Sequence, residues 1–255
     1  MKNIEKNRVK KPKDLMKTPE DLEVKGQKRK KIMIGIPTAS AMLHRKFVQS
    51  LMQLGYPPHA EVDINILEGY QLPFARNRIV QNVIEKNFDY LLFIDADMVF
   101  PPDLLLRLLK HDVPIVNALA FRRIRPHYPC IFSWNKKEGS YETAEYSTGL
   151  LEVDATGMPA ILIKTEVFKK MKQPWYYYRD HLFSSDLTFC ENARKAGYKI
   201  LIDTDLKIGH IGEEVVITER YYLNHLSLEE KEKWNKGIRK GLKEKASEKE
   251  LYHKE

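Results

Sequence analysis

Tyr90-Leu91-Leu92-Phe93-Ile94 runs without a break into Asp95-Ala96-Asp97, and Met98-Val99-Phe100 then turns apolar again before Pro101-Pro102. Five residues with aromatic and β-branched content, bounded by charge, read as a buried strand and not a helix. Side chains two apart on a strand share a face, so Asp95 and Asp97 project together from its carboxyl end. Two carboxylates side by side at the edge of an apolar core are costly unless a positive charge sits between them. A divalent cation on oxygen ligands, shared with a phosphate, is the simplest answer.

The neighbouring segments give this strand its company. Lys31–Thr38 is a short apolar strand broken by Pro37, and Val62–Leu67 alternates as a strand ending at Glu68-Gly69. Helical spacing is predicted over Arg45–Leu54, over Phe74–Phe88 with Ile79, Val80, Val83 and Ile84 as its stripe, and after Pro101-Pro102. Val113–Leu119 is the next strand. Alternation of this kind implies βαβ units and a mostly parallel sheet. Beyond it, Ile131–Trp134 and Tyr141–Val153 have hairpin spacing, Ala160–Ile163 and Lys199–Ile202 return as strands, and Glu166–Met171 and Phe189–Ala196 are helical, the latter stopped by Gly197. Ligands of open α/β sheets bind outside the carboxyl ends of the strands. Pro37-Thr38, Glu68-Gly69 and Asp95-Ala96-Asp97 are therefore expected to line one crevice.

Charge might point instead to nucleic acid, because the 255-residue chain carries a net +8. Its location argues otherwise. Residues 1–31 hold 12 Lys and Arg against 5 Asp and Glu, residues 227–255 hold 9 against 7, and the span between is close to neutral. A nucleic-acid-binding domain carries its basic stripe on the folded surface. We therefore expect a basic N-terminal arm over 1–31, one domain over 32–226, and a charged helical tail over 227–255 with Trp234, Ile238 and Leu242 as its apolar stripe. Weak contact of the tails with an anionic membrane or polyanion is the sharper alternative to loose solvated arms. Two distant cysteines, no apolar run long enough to span a bilayer and no leader-like N-terminus predict a cytoplasmic protein.

In this order and spacing, Ile36-Pro37-Thr38, Ala75-Arg76-Asn77, Asp95-Ala96-Asp97, Ser185-Asp186 ahead of a helix ending Ala196-Gly197-Tyr198, and His210 after the last strand resemble the GT-A-type glycosyltransferases of the family-2-like kind. The resemblance covers about residues 32–215. It implies a Rossmann-like α/β fold with a mostly parallel central sheet and transfer of a sugar from a UDP- or GDP-sugar to an acceptor hydroxyl, with inversion. The acceptor class, whether glycan, lipid-linked, protein or nucleic acid, stays open. Mn²⁺ or Mg²⁺ would bridge the diphosphate, held by Asp97 and His210 with Asp95 reaching it through water or contacting the donor; imidazole ligation favours manganese. Asp186 would be the general base, although capping of its helix is a sufficient alternative. Ser185-Asp186 stands where the family often has two acidic residues, with Glu191 a turn further on. Pro37, Thr38, Glu68 and Arg76 would hold the nucleotide and Gly157 would line the donor-sugar side, while Glu68 solvated and Arg76 paired with a surface carboxylate are the plain alternatives.

Two clusters carry less definite expectations. Arg122-Arg123-Ile124-Arg125-Pro126-His127 is either an anion contact near the crevice or a solvated loop, and Trp175-Tyr176-Tyr177-Tyr178 either stacks on an acceptor sugar or packs in the core. Two competing functions remain. A phosphohydrolase of the dehalogenase type wants its first Asp near the chain start and a glycine soon after the second, neither of which this chain has. A binding module that kept the fold and lost activity would have little reason to keep Asp97, Asp186 and His210 together.

Overall fold

A computed structural model describes residues 29–123, 127–179 and 183–212, together with Glu232. The order is β1 (Lys31–Thr38), α1 (Arg45–Gln53), β2 (Glu61–Glu68), α2 (Leu72–Glu85), β3 (Tyr90–Ile94), β4 (Met98–Val99), α3 (Leu104–Lys110) and β5 (Ile115–Leu119). It continues with β6 (Ile131–Asn135), β7 (Ser140–Thr143), β8 (Leu150–Val153), β9 (Ala155–Thr156), β10 (Ala160–Lys164), α4 (Thr165–Lys170), α5 (Ser185–Lys195), β11 (Ile200–Lys207) and β12 (Gly209–His210). Contacts group the chain into Met1–Ile211 and Gly212–Glu255. The arm over 1–28, the tail with its Trp234 stripe, and Ile124-Arg125-Pro126 of the basic cluster lie outside the described residues.

Seven strands form the main sheet in the order β2-β1-β3-β10-β5-β11-β8. β2, β1, β3, β5 and β11 run one way; β10 and β8 run against them. The sheet is thus mostly parallel, with two reversed strands. Strand alternation divides the core into two faces. Met33, Leu91, Phe93, Ile161 and Ile163 meet Ile79, Val83, Val167, Phe168 and Phe189 of α2, α4 and α5 on one side. Ile32, Ile34, Leu92, Ile94 and Leu162 meet Phe47, Leu104 and Leu108 of α1 and α3 on the other. β3 is buried at all five positions, as its unbroken apolar run requires.

Two segments depart from the sequence expectation. Tyr141–Val153 does not act as one arm of a hairpin: β7 pairs with β6, while β8 leaves to become the far edge of the main sheet against β11. α5 starts at Ser185, four residues ahead of the expected Phe189, because Ser184 caps it by accepting from the Leu187 N–H. The polar Ser-Asp-Leu-Thr opening hid that first turn. Among the described residues, no helix is long and apolar enough to cross a membrane.

Gly35 sets how closely α2 lies on the sheet. A Cβ there would stand 2.8 Å from Ile79 Cγ2 and 3.1 Å from the Phe93 ring. Both neighbours are core side chains without room to retreat, so Gly35→Ala should destabilise the protein by about 1–3 kcal/mol through overpacking. A denaturant melt checks this; an unchanged midpoint would mean that α2 does not rest on β1 as described.

Candidate active site at the carboxyl edge of the sheet

β1 lies between β2 and β3, and all three end at the same edge. Thr38 and Glu68 are cross-strand partners there, and Gly69 closes the turn by donating its N–H to the Thr38 carbonyl at 3.1 Å with φ +82°. Glu68 is exposed, Thr38 is half-buried and bonded to Ser40, and Pro37 is buried in β1. These three lie at the carboxyl edge of the sheet, where β3 also delivers Asp95 and Asp97.

A two-residue ladder brings His210 to Asp97 across 113 positions of sequence. β4, directly after Asp97, pairs antiparallel with β12, Val99 against Gly209 and Met98 against His210. The Ile211 N–H then donates to the Asp97 carbonyl at 2.8 Å. The result sets His210 Nε2 3.2 Å from Asp97 Oδ2. His210 Nδ1 donates to the Phe121 carbonyl at 2.9 Å, which fixes the ring and leaves Nε2 to face the carboxylate. The Asp97 hydrogen bond holds the imidazole above its ordinary pKa. Burial pushes the Asp97 carboxyl upward, but His210 and Arg123, whose Nη1 lies 3.4 Å away, outweigh it and leave Asp97 below the usual range.

The donor atoms of this pair fit a divalent metal. Metal bonds of about 2.0–2.2 Å put adjacent ligands roughly 3 Å apart, which is the spacing of Oδ2 and Nε2. A carboxylate oxygen and an imidazole nitrogen are both ordinary ligands of divalent metals. Among the described residues no group of three or more His, Cys, Asp or Glu surrounds such a position. Asp95, two residues before Asp97, turns its Oδ1 to Arg76, accepting from Nη2 at 3.0 Å.

Arg76 is the most deeply buried group of the site, with no exposed surface. Its second nitrogen, Nη1, pairs with Asp186 Oδ1. Burial would depress the guanidinium, yet Asp186 and Asp95 more than offset it and hold its pKa above the ordinary value. Burial is also the main force on Asp95, raising its pKa against the pull of Arg76; the charges of Asp186 and Asp97 add to the rise. An arginine so enclosed has no free face for phosphate or base, so the donor contact expected of Arg76 does not match its location.

Asp186 sits in the first turn of α5, and Ser184 does the capping. Its carboxylate is thereby spared for other work. It opens onto a cavity of about 630 Å³ lined by Arg122, Phe132, Tyr141, Gly157 and Phe183, among others. A Cβ on Gly157 would lie 4.0 Å from Asp186 Oδ2, so the absence of a side chain keeps that oxygen open to the cavity. Asn117, buried on β5, steadies this floor by donating to Thr156 Oγ1 and the Gly157 carbonyl at 3.0 and 2.8 Å. Cys130 and Cys190 are free thiols that burial pushes up to about 11 and about 12, which leaves them protonated.

The aromatic wall of the cavity was not foreseen in the sequence. Trp175 and Tyr176 are core residues, Tyr176 stacking on Phe189 at 4.8 Å, and only Tyr178 of that run is largely exposed. Tyr141 and Phe183 line the cavity instead, packed edge-on at 6.0 Å, with the Arg179 guanidinium 3.6 Å from the Phe183 ring centre. They come from the β6–β7 hairpin and the approach to α5, and nothing in local spacing links them. Of the basic cluster, Arg122 lies over the Phe132 ring at 5.3 Å and Arg123 reaches Asp97.

No family model matches the sequence, and no curated protein does. Solved structures do match in shape. A197 from STIV aligns with a TM-score of 0.49 at 15% identity, over 74% of this chain and 98% of that one. GalNAc-T7, solved with UDP, GalNAc and Mn²⁺, aligns with a TM-score of 0.50 at 12% identity over 72% of this chain. This chain spans 44% of the length of that GalNAc-T7 chain. At such identity the likeness concerns the fold, and the fold is GT-A-like.

Proposed function

We propose that the protein is a metal-dependent glycosyltransferase of the family-2-like kind, taking a nucleoside-diphosphate sugar as donor. The observation that carries this reading is the joint presence, at one sheet edge, of the Asp97–His210 pair and of Asp186 opening onto a separate cavity. One set suits a metal-bound diphosphate and the other an acceptor hydroxyl. A binding module would need only the first.

In this reading, Asp97 and His210 hold the divalent cation, and water and diphosphate oxygens complete its shell. The bound cation would neutralise the diphosphate and make it a competent leaving group. Thr38 and Glu68 lie where nucleoside hydroxyls and base edges would be met, and Asp95 offers its free Oδ2 on the donor side. Arg123, half exposed beside Asp97, is suited to the diphosphate as well. The acceptor occupies the cavity, its hydroxyl against Asp186 Oδ2. Asp186 takes the hydroxyl proton as the acceptor oxygen bonds to the anomeric carbon. The bond from that carbon to the diphosphate oxygen breaks, and its electron pair leaves with the nucleoside diphosphate. Attack from the face opposite the leaving group inverts the anomeric centre. Tyr141, on the cavity wall, carries a ring suited to the apolar face of a sugar.

A panel of UDP- and GDP-sugars with Mn²⁺, read by release of the nucleoside diphosphate, tests the reading. Turnover with at least one donor, abolished by chelation, is the expected result; silence across the panel would refute it. Asp186→Asn should leave donor affinity within a few-fold and lower kcat by roughly 10²–10⁴-fold. Gly157→Val should fill the cavity floor, raising acceptor KM while sparing donor binding. Equal loss on both substrates would contradict the separation of the two subsites.

A further inference from the structure

The place of Arg76 is explained neither by donor contact nor by ordinary pairing at a surface. Its carboxylate partners belong to elements far apart in sequence: Asp95 ends β3, and Asp186 begins α5. Two rings that pack edge-on against each other at 5.8 Å flank the guanidinium on one side, its carbon 5.9 Å from the Phe93 centroid and 5.7 Å from that of Tyr176. Tyr176 is itself locked, by stacking on Phe189 and by the side chain of Asn77, the residue next to Arg76. Asn77 Oδ1 accepts from the Trp175 and Tyr176 N–H groups at 3.0 and 3.1 Å, and its Nδ2 donates to the Tyr176 and Pro73 carbonyls at 2.7 and 2.9 Å. Among the described residues, Arg76 Nε has no hydrogen-bond partner, so only the two carboxylates draw on its donors.

Each carboxylate gives Oδ1 to this arginine. Oδ2 of Asp95 is thereby left for the donor side, and Oδ2 of Asp186 for the cavity. We infer that Arg76 is a positioning residue that aims both carboxylates with one guanidinium and couples the donor and acceptor halves of the site. The inference rests on the transferase reading for the reaction it affects, but the coupling itself does not. A planar fork can satisfy two acceptors in different directions at once; a lysine ammonium, a single point charge on a flexible stem, cannot hold both aims. Arg76 has no exposed surface, so its charge requires these two carboxylates, which themselves stay partly exposed.

Arg76→Lys is the direct test. We expect kcat to fall roughly 10- to 100-fold, the scale of an ångström of misplacement, and nucleotide-sugar affinity to weaken as Asp95 loses its aim, with Mn²⁺ affinity within a few-fold of the parent. Because Arg76 acts through Asp186, adding Arg76→Lys to Asp186→Asn should cost little more in kcat than Asp186→Asn alone. A folded Arg76→Lys protein with the parent kcat, or a full additional loss in the double variant, would overturn the inference. A second cycle needs neither activity nor a foldable Arg76 variant. Asp95→Asn and Asp186→Asn each leave the arginine one partner, whereas together they leave it buried with none. The double variant should therefore lose more melting temperature than the sum of the two singles. Additive losses would overturn the coupling. If the wild type turned over no nucleotide sugar, the transferase reading would fall and this melting cycle would still decide the tie.

Discussion

A cation sealed inside the protein between two carboxylates is the constraint on which the rest of the site depends. Removing one partner from a buried ion pair leaves an uncompensated charge at a cost of about 3–5 kcal/mol, so Arg76, Asp95 and Asp186 hold one another in place. β3, α2 and α5 must meet at one point for this to occur. Gly35 allows α2 close enough to the sheet, and Asn77 ties α2 to the Trp175-Tyr176 segment beside α5. The apolar packing of that face serves the same end, because Phe93 and Tyr176 are both core and neighbours of the guanidinium, and Phe189 stacks on Tyr176. Stability and site geometry are here one set of contacts.

The other half of the site is built more lightly. Two residues of strand on each side, β4 and β12, register His210 on Asp97, and the Phe121 carbonyl orients the ring. In the proposed reading, two protein ligands would leave the rest of a cation's coordination to water and to the phosphates of the donor. The asymmetry between Asp95 and Asp97 follows from their surroundings. One faces a buried arginine and the other an imidazole at the surface of the crevice, so carboxylates one residue apart acquire different work.

Much of the scaffold was legible in the chain. Lys31–Thr38 and Tyr90–Ile94 form strands at the predicted limits because apolar runs bounded by proline and by carboxylates have no other stable arrangement. The carboxyl-edge crevice followed from strand order, and the proximity of His210 to Asp97 from the family pattern. What escaped notice depended on tertiary contact. Arg76 read as a helix-face cation able to reach phosphate, since nothing within its own helix reveals that Asp95 and Asp186 close over it. The aromatic residues at 175–178 stayed open between core and acceptor wall because composition alone does not distinguish the two. Tyr141 and Phe183 converge only through the hairpin and the loop before α5, a meeting that no periodicity encodes. The reversed strands β10 and β8 likewise carry no local mark of direction.

Calorimetric titration of UDP and GDP into the protein, with and without Mn²⁺, tests the central claim most directly. The account predicts binding of one nucleotide that depends on Mn²⁺ in the wild type and is lost in Asp97→Ala. Affinity that is indifferent to Mn²⁺, or unchanged when Asp97 is removed, would contradict it.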